Sequence, residues 1–385
     1  MNSKSKSISY MSKINGFFSL AIAKTGGSGI TAVFWFIIAA LLIPSEYGQI
    51  QYFISIAGIA YTISLIGTEE VITVYTAKKI DLQKTLISIS LIVGTISGIV
   101  VLILFSKIDV SFLIIVFIIN DIGLGYLLGK KFFKNYSKYF LTQKGLTFIL
   151  GIGLYFIFGV DGIIFGLVLS YIHFSILIYK IIKTSKIDFP LLKTRLGFVT
   201  NNYLISIIGI GKNQLDKIIV LPIIGFELLG NYALTLQMYA VFMMFSKIVY
   251  KYTLPHDSVG DQKTKIKFIA IVTSILITIL GISMPPYIIP LIFPEYDEAI
   301  SAIQVISLAV IPATLSLIFS SKFLGQENAR IILAGRIGFA GSFITSILVL
   351  TPIFGINGAA SSFVIASILQ CIILFIYLKI WRERR

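Results

Sequence analysis

Phe158-Gly159-Val160-Asp161-Gly162 and Phe354-Gly355-Ile356-Asn357-Gly358 carry the same pattern, met twice in 385 residues. Each stands between two long apolar runs, so each reads as a hairpin turn between membrane-length helices. A second recurrence supports the pairing. Ile43-Pro44-Ser45-Glu46-Tyr47-Gly48 leads into Gln49-Ile50-Gln51-Tyr52, and Gly225-Phe226-Glu227-Leu228-Leu229-Gly230 leads into Asn231-Tyr232. Both place an acidic residue, a glycine and a tyrosine at the start of a helix. The chain is therefore read as two repeats, residues 1–190 and 191–385.

Windows of about 20 apolar residues fill the rest of each repeat. They place spans at 18–42, 48–77, 82–105, 110–129, 140–158 and 160–182, then at 198–223, 228–250, 266–292, 297–321, 329–350 and 354–380. Twelve spans make an all-α, polytopic membrane protein. Six spans per repeat is an even number, so each repeat returns the chain to its starting side. The halves are then related by an axis along the membrane normal, and transporters so built bind their cargo between the halves.

Composition agrees: 57% of residues are hydrophobic, 13% are charged, and mean hydropathy is +0.94, far from the mix of soluble domains. Of 32 Lys and Arg, only Lys107 falls on the far side and only Lys24, Lys212 and Lys217 lie well inside spans; the other 28 occupy the connections that share a side with the N-terminus. By the positive-inside rule both termini are cytoplasmic and the protein is a multi-pass protein of the cell membrane. The net charge of +15 is thus a topology signal, and nucleic-acid binding is not expected. The basic N-terminus before residue 18 is followed by too long an apolar run for a cleaved signal peptide, so it begins the first helix. One cysteine, Cys371, and two distant histidines, His173 and His256, leave no disulfide, no metal site and no redox cofactor to expect.

Twelve spans and short connections, together with the Pro44-to-Gly48 turn, Gln214-Leu215-Asp216-Lys217 followed by Leu229-Gly230-Asn231-Tyr232, Pro294-Glu295-Tyr296 before span ten, and Gly355-Ile356-Asn357-Gly358-Ala359-Ala360, resemble the polysaccharide (O-antigen) flippases of Wzx type. Those belong to the multidrug/oligosaccharidyl-lipid/polysaccharide exporter superfamily, and the resemblance covers about residues 14–380. It implies a MATE-like, V-shaped pair of six-helix lobes around a central cavity. The implied cargo is a polyprenyl-linked oligosaccharide, flipped between leaflets by alternating access for cell-surface polysaccharide synthesis. The implied partners are membrane lipids and polysaccharide assembly proteins, around a protein that acts as a monomer.

Such a cargo carries a phosphate or pyrophosphate and many hydroxyls, which cannot cross hydrocarbon unaided. Ionisable residues inside spans are therefore the informative ones, because each costs about 2.5–3.5 kcal/mol at the bilayer centre on the mildest scale. Lys212 lies about 21 Å into span seven at 1.5 Å per residue, too deep to snorkel. Asp216 follows it at i+4 and Lys217 comes next, so one lysine can form an intrahelical pair while the other is left over. Lys24 in span one either lines the cavity or snorkels to the headgroups. A phosphate site is expected from Lys24, Lys212 and Lys217. Lys144 and Arg336, at similar depths in the equivalent spans five and eleven, are either further cavity cations or topology charges.

Asp121, beside Asn120 in span four, has no local lysine; a neutral buried carboxyl or a cation-coupling site would each explain it. Glu69 and Glu70 are about 100° apart on span two, so one at most points inward. Protons or sodium ions could act through Asp121, Asp216, Glu69 or Glu70, and a passive carrier would need no ion. The prolines Pro285, Pro286 and Pro290 of span nine and Pro312 of span ten are expected to bend their helices.

Three rival functions follow. A cation-coupled multidrug exporter of the same superfamily resembles a chain with a carboxylate in span one, where this one has Lys24. A peptidoglycan lipid-precursor flippase resembles a fourteen-span architecture. A membrane enzyme such as a polymerase or ligase would want a large outer loop with catalytic groups, which the sequence lacks.

Overall fold

The computed structural model describes the backbone of residues 3–258, 263–326 and 328–383, with side chains described there except at 3–18, 208, 210–213, 255, 329 and 381–383. Every described element is a helix. In chain order they are α1 Ser3–Leu41, α2 Pro44–Ser64, α3 Glu69–Ala77, α4 Gln83–Phe105, α5 Ile108–Gly129, α6 Phe133–Phe158, α7 Val160–Tyr171 and α8 Phe174–Thr184. They continue as α9 Phe189–Asn213, α10 Leu215–Phe242, α11 Met244–Ser258, α12 Thr264–Ser283, α13 Pro285–Ile292, α14 Asp297–Ser307, α15 Val310–Gly325 and α16 Ala329–Glu383. Among the described residues nine helical stretches are long and apolar enough to cross a membrane, or ten if the pair Asp297–Ser307 and Val310–Gly325, bent by 43°, is one span. This is a multi-pass membrane protein.

Both repeated turns are glycine hairpins. Gly159 (φ 66) joins α6 to α7, and Gly355 (φ 55) folds α16 back on itself. In each, the second glycine of the motif packs against a carbonyl eight residues earlier: Gly162 on Leu154 and Gly358 on Leu350. The fourth residue is held alike in both. Asp161 accepts a 2.7 Å hydrogen bond from Lys107, and Asn357 accepts one of 3.0 Å from Ser301. Gly225 (φ 76) makes the matching reversal inside α10.

The chain forms two compact units, residues 1–35 with 53–215, and residues 36–52 with 216–385. The division differs from the expected one at 190/191 because α9 is tied to the first unit: the Tyr203 hydroxyl donates to the Ile63 carbonyl (2.7 Å), and Phe198 packs on Tyr75. The C-terminal end of span one and the start of span two belong to the second unit. There Tyr296 donates to the Leu42 carbonyl (3.0 Å). The two acid-glycine-tyrosine turns also cross each other: Gly48 abuts the Phe226 carbonyl, and Gly230 abuts the Pro44 carbonyl. Each glycine abuts the carbonyl four residues before the other glycine, so the two turns meet here through a reciprocal, two-fold-like pair. The second unit's core is built on Val220, Leu229, Tyr232, Phe339, Phe343 and Phe363.

Spans two, seven, nine and ten are each broken or bent, spans two and seven with no proline at the break. Span two is interrupted between α2 and α3, where Ser90 Oγ, buried, accepts from the amides of Ile66 (3.1 Å) and Gly67 (3.3 Å). A side chain thus supplies the partner that hydrocarbon cannot. Span seven breaks at Gln214, between α9 and α10. Span nine breaks at Met284, before the expected Pro285, and span ten bends at Leu308 and Ala309. Pro312 sits in the first turn of α15, where no amide partner is lost, so it does not itself make the bend.

Candidate functional site

Within the first unit, the ionisable residues singled out by sequence come together around spans one, two, four and five. The Asp121 carboxylate accepts a hydrogen bond from the Tyr61 hydroxyl and another from the Asn120 amide (3.0 Å). Glu69 lies within electrostatic reach of Asp121, Lys24 and Glu70, and Asp121 within that of Glu70 and Lys144. The break in span two places the two glutamates. Both stand in the first turn of α3, capped by Thr68, whose hydroxyl accepts from the Val71 amide (3.3 Å). A helix N-terminus favours negative charge, so the interruption creates a place for carboxylates at membrane depth. Close approach of α3 to α5 is secured by Gly125, which lies against the Glu69 backbone.

The two lysines of this cluster, Lys24 and Lys144, sit on aromatic rings. The Lys24 ammonium lies 5.7 Å from the centroid of Tyr136 and the Lys144 ammonium 5.4 Å from that of Phe140. Tyr136 and Phe140 are themselves stacked, with centroids 5.9 Å apart and planes at 12°. Two cations therefore bracket one aromatic pair, an arrangement that partly compensates their desolvation. Helix α1 reaches α6 through Gly27, which nests against Phe140 and Lys144, and through Ser19, which donates to Ser137 (2.8 Å). Three carboxylates and two lysines make this cluster slightly acidic when all are ionised, so Lys24 is not the uncompensated cation that the sequence suggested.

Within the second unit, Lys217 and Asp216 form a buried pair at 3.5 Å. The expected i,i+4 relation of Lys212 and Asp216 presumed one continuous helix, whereas α9 ends at Asn213 and α10 begins at Leu215; the Lys212 side chain lies outside the described residues. Lys217 is thus offset by its own neighbour. Among the described residues neither Asp216 Oδ1 nor the hydroxyl of Tyr232, both buried, finds a well-formed hydrogen bond, although the two are close enough to interact with each other. Arg336 is exposed, within electrostatic reach of Tyr250.

Sequence reading missed a further polar group of the second unit. Lys267 of α12 donates to both oxygens of Asp257 in α11 (2.5 and 2.8 Å), and Ser321 of α15 donates to the same carboxylate (2.6 Å). The Asp257 side chain is only 2% exposed. Lys267 had counted as one of the basic-face charges; its deep acid partner, ten residues away, was the available signal. Tyr61 was missed because a tyrosine in a span ordinarily signals packing or an interface anchor. Among the described residues no group of three or more His, Cys, Asp and Glu could hold a metal ion.

No family model matches the sequence, and no curated protein matches it. Solved structures do match its fold. An inward-facing multidrug resistance MATE family transporter of the MOP superfamily aligns with a TM-score of 0.71 at 16% identity, over 96% of this chain and 98% of that one. The lipid II flippase MurJ, inward closed, aligns with a TM-score of 0.71 at 14% identity, over 94% and 87% of the two chains. A MOP superfamily transporter from Pyrococcus furiosus, noted for the reverse polarity of its binding pocket, aligns with a TM-score of 0.58 at 17% identity, over 95% of each chain. The expected all-α, MATE-like membrane fold is therefore the fold of this chain, with nine or ten candidate spans among the described residues where twelve were expected.

Proposed function

We propose that this protein is a flippase that moves a polyprenyl phosphate- or pyrophosphate-linked oligosaccharide from the cytoplasmic to the outer leaflet by alternating access, with both termini cytoplasmic. The observation that carries the reading is the pair of lysines held at the Tyr136–Phe140 stack inside membrane spans. Cations are costly at that depth, and although the neighbouring carboxylates offset these two, both lysines remain able to pair with an anionic headgroup. Fold likeness to a lipid II flippase supports a lipid-borne cargo in general, and a peptidoglycan precursor is the nearest alternative. Lys217 contributes less to a phosphate site than Lys24 and Lys144, because Asp216 already offsets its charge.

The acid cluster supports a second role for the same unit. Asp121, hydrogen-bonded by Tyr61 and Asn120 and neighboured by Glu69 and Glu70, is the group through which a proton or sodium ion would act. That feature is also what a cation-coupled multidrug exporter would need, so the two functions are separated by experiment. In a strain lacking its own flippase, Lys24→Ala with Lys144→Ala is expected to abolish surface glycan at normal expression, while Lys24→Arg retains it. Full complementation by the double variant, or drug export without glycan, would decide against the flippase. Transport in proteoliposomes with and without an imposed proton or sodium gradient, using Asp121→Asn, tests coupling: indifference to both leaves a passive carrier.

A further inference from the structure

At the basic face of the first unit, the ends of α5, α6 and α8 enclose a cavity of about 260 Å³ whose walls include Tyr126, Leu127, Phe132, Tyr139, Leu177 and Lys180. It lies below the range of about 300–1,000 Å³ in which drug-sized ligands are held, too small for an oligosaccharide and suited to a single headgroup. Its walls are mainly aromatic and aliphatic, with Asn135, Lys180 and Thr184 as the polar members and no Asp or Glu among the lining residues.

Positive charge converges on it from two sides. Lys180 is in the wall, and the Lys130 ammonium lies 5.5 Å from the centroid of the Tyr126 ring, which is itself part of the wall. Lys130 and Lys131 make the tight turn between α5 and α6, with Lys131 at φ 61. That turn presents both lysines beside the cavity, and both are exposed. Outside the cavity, α8 and the two-residue turn before it carry on. Ile172 (56% exposed), Ile176 (60%) and Lys180 recur at i,i+4, so one face runs apolar, apolar, cationic toward the basic end. An acyl chain beside a phosphate has this same order of chemistry. Basic pockets between membrane helices are a recurrent means of holding anionic lipid headgroups.

We propose that this cavity seats the phosphate headgroup of an anionic phospholipid drawn from the leaflet at the basic face, with an acyl chain along Ile172 and Ile176. The site is separate from the acid and lysine cluster, and it does not depend on what the protein transports. An annular lipid so held would fix the junction of spans four, five and six.

The test uses the full chain, purified and delipidated in neutral detergent, with bound lipid read by native mass spectrometry. Phosphatidylglycerol is expected to remain bound where phosphatidylcholine does not. Lys130→Ala with Lys180→Ala should weaken phosphatidylglycerol binding about 25-fold, from about fivefold per lysine near a charged surface, while Lys84→Ala, at another connection of the basic face, leaves it unchanged. Thr184→Trp, which fills the cavity from its exposed rim, should also abolish binding with both lysines intact. Equal binding of the two lipids, an unchanged affinity in either cavity variant, or complete displacement of the lipid by soluble glycerol phosphate would overturn the proposal.

Discussion

Single backbone angles do much of the work in this chain. Gly159 and Gly355 combine positive φ with ψ near −147° and −133°, a region essentially reserved for glycine. Nothing lies within 4 Å of the place where a Cβ would stand at either residue, so Gly355→Ala should cost about 1–3 kcal/mol from backbone strain alone, measured as a lowered unfolding midpoint. Gly358→Ala should be worse for a different reason, because its added carbon meets the Leu350 carbonyl. Lys79 and Lys131 also take a positive φ, of 56° and 61°, without being glycine. Each closes its helix with paired terminal hydrogen bonds, Ile80 N to Tyr75 O (2.9 Å) and Phe132 N to Leu127 O (2.9 Å), the arrangement in which glycine is usual. The lysine is tolerated because its charge complements the helix C-terminus and remains at the basic face. Lys79→Gly is therefore expected to raise stability by up to about 1 kcal/mol, and Lys79→Ile to lower it, in the same thermal measurement.

Pairs of helices are aligned by polar rungs. Spans eight and ten run parallel, in a register of 68 residues: Asn231 accepts from the Ala299 amide (3.0 Å), Ser246 meets Thr314 (2.7 Å) and Thr253 meets Ser321 (3.1 Å). The last two rungs are seven residues apart on both helices, two turns, so they share a face. Asp257 ends the row by drawing α12 in through Lys267. Removing one partner of a buried pair costs about 3–5 kcal/mol, whereas replacing both with apolar residues is often neutral. Lys267→Met is thus expected to destabilise strongly and Lys267→Met with Asp257→Leu to recover most of the loss; additive losses in the double-variant cycle would contradict the pairing. The broken span two has a comparable dependence on Ser90. Ser90→Ala leaves the buried Gly67 amide unpartnered, while the Ile66 amide keeps the Ser64 carbonyl (3.0 Å), and should cost about 1–3 kcal/mol, seen as faster hydrogen exchange at Gly67.

For the molecule as a whole, the distribution of charge predicts orientation. With Cys371→Ala as background, Asp161→Cys should react with an impermeant maleimide on intact cells and Lys186→Cys should not; the reverse labelling would invert the topology. The twelve apolar windows, the two hairpin motifs and the one-sided lysines were legible because bilayer thickness and the cost of hydrocarbon burial act on each segment separately, wherever its neighbours are. The interruptions at Gly67 and Gln214 were not legible. No proline marks them, and a helix in lipid breaks only where another helix offers partners, as Ser90 does. The same distinction governs the candidate site. Sequence picked out Lys24, Lys144, Glu69, Glu70 and Asp121 as charges out of place, since depth along a span is a one-dimensional property. Their assembly into one cluster, the seating of the lysines on Tyr136 and Phe140, and the offset of Lys217 by Asp216 arose from packing between helices distant in the chain. One chain coordinate decides what must be sheltered from hydrocarbon; only contacts in three dimensions decide which group does the sheltering.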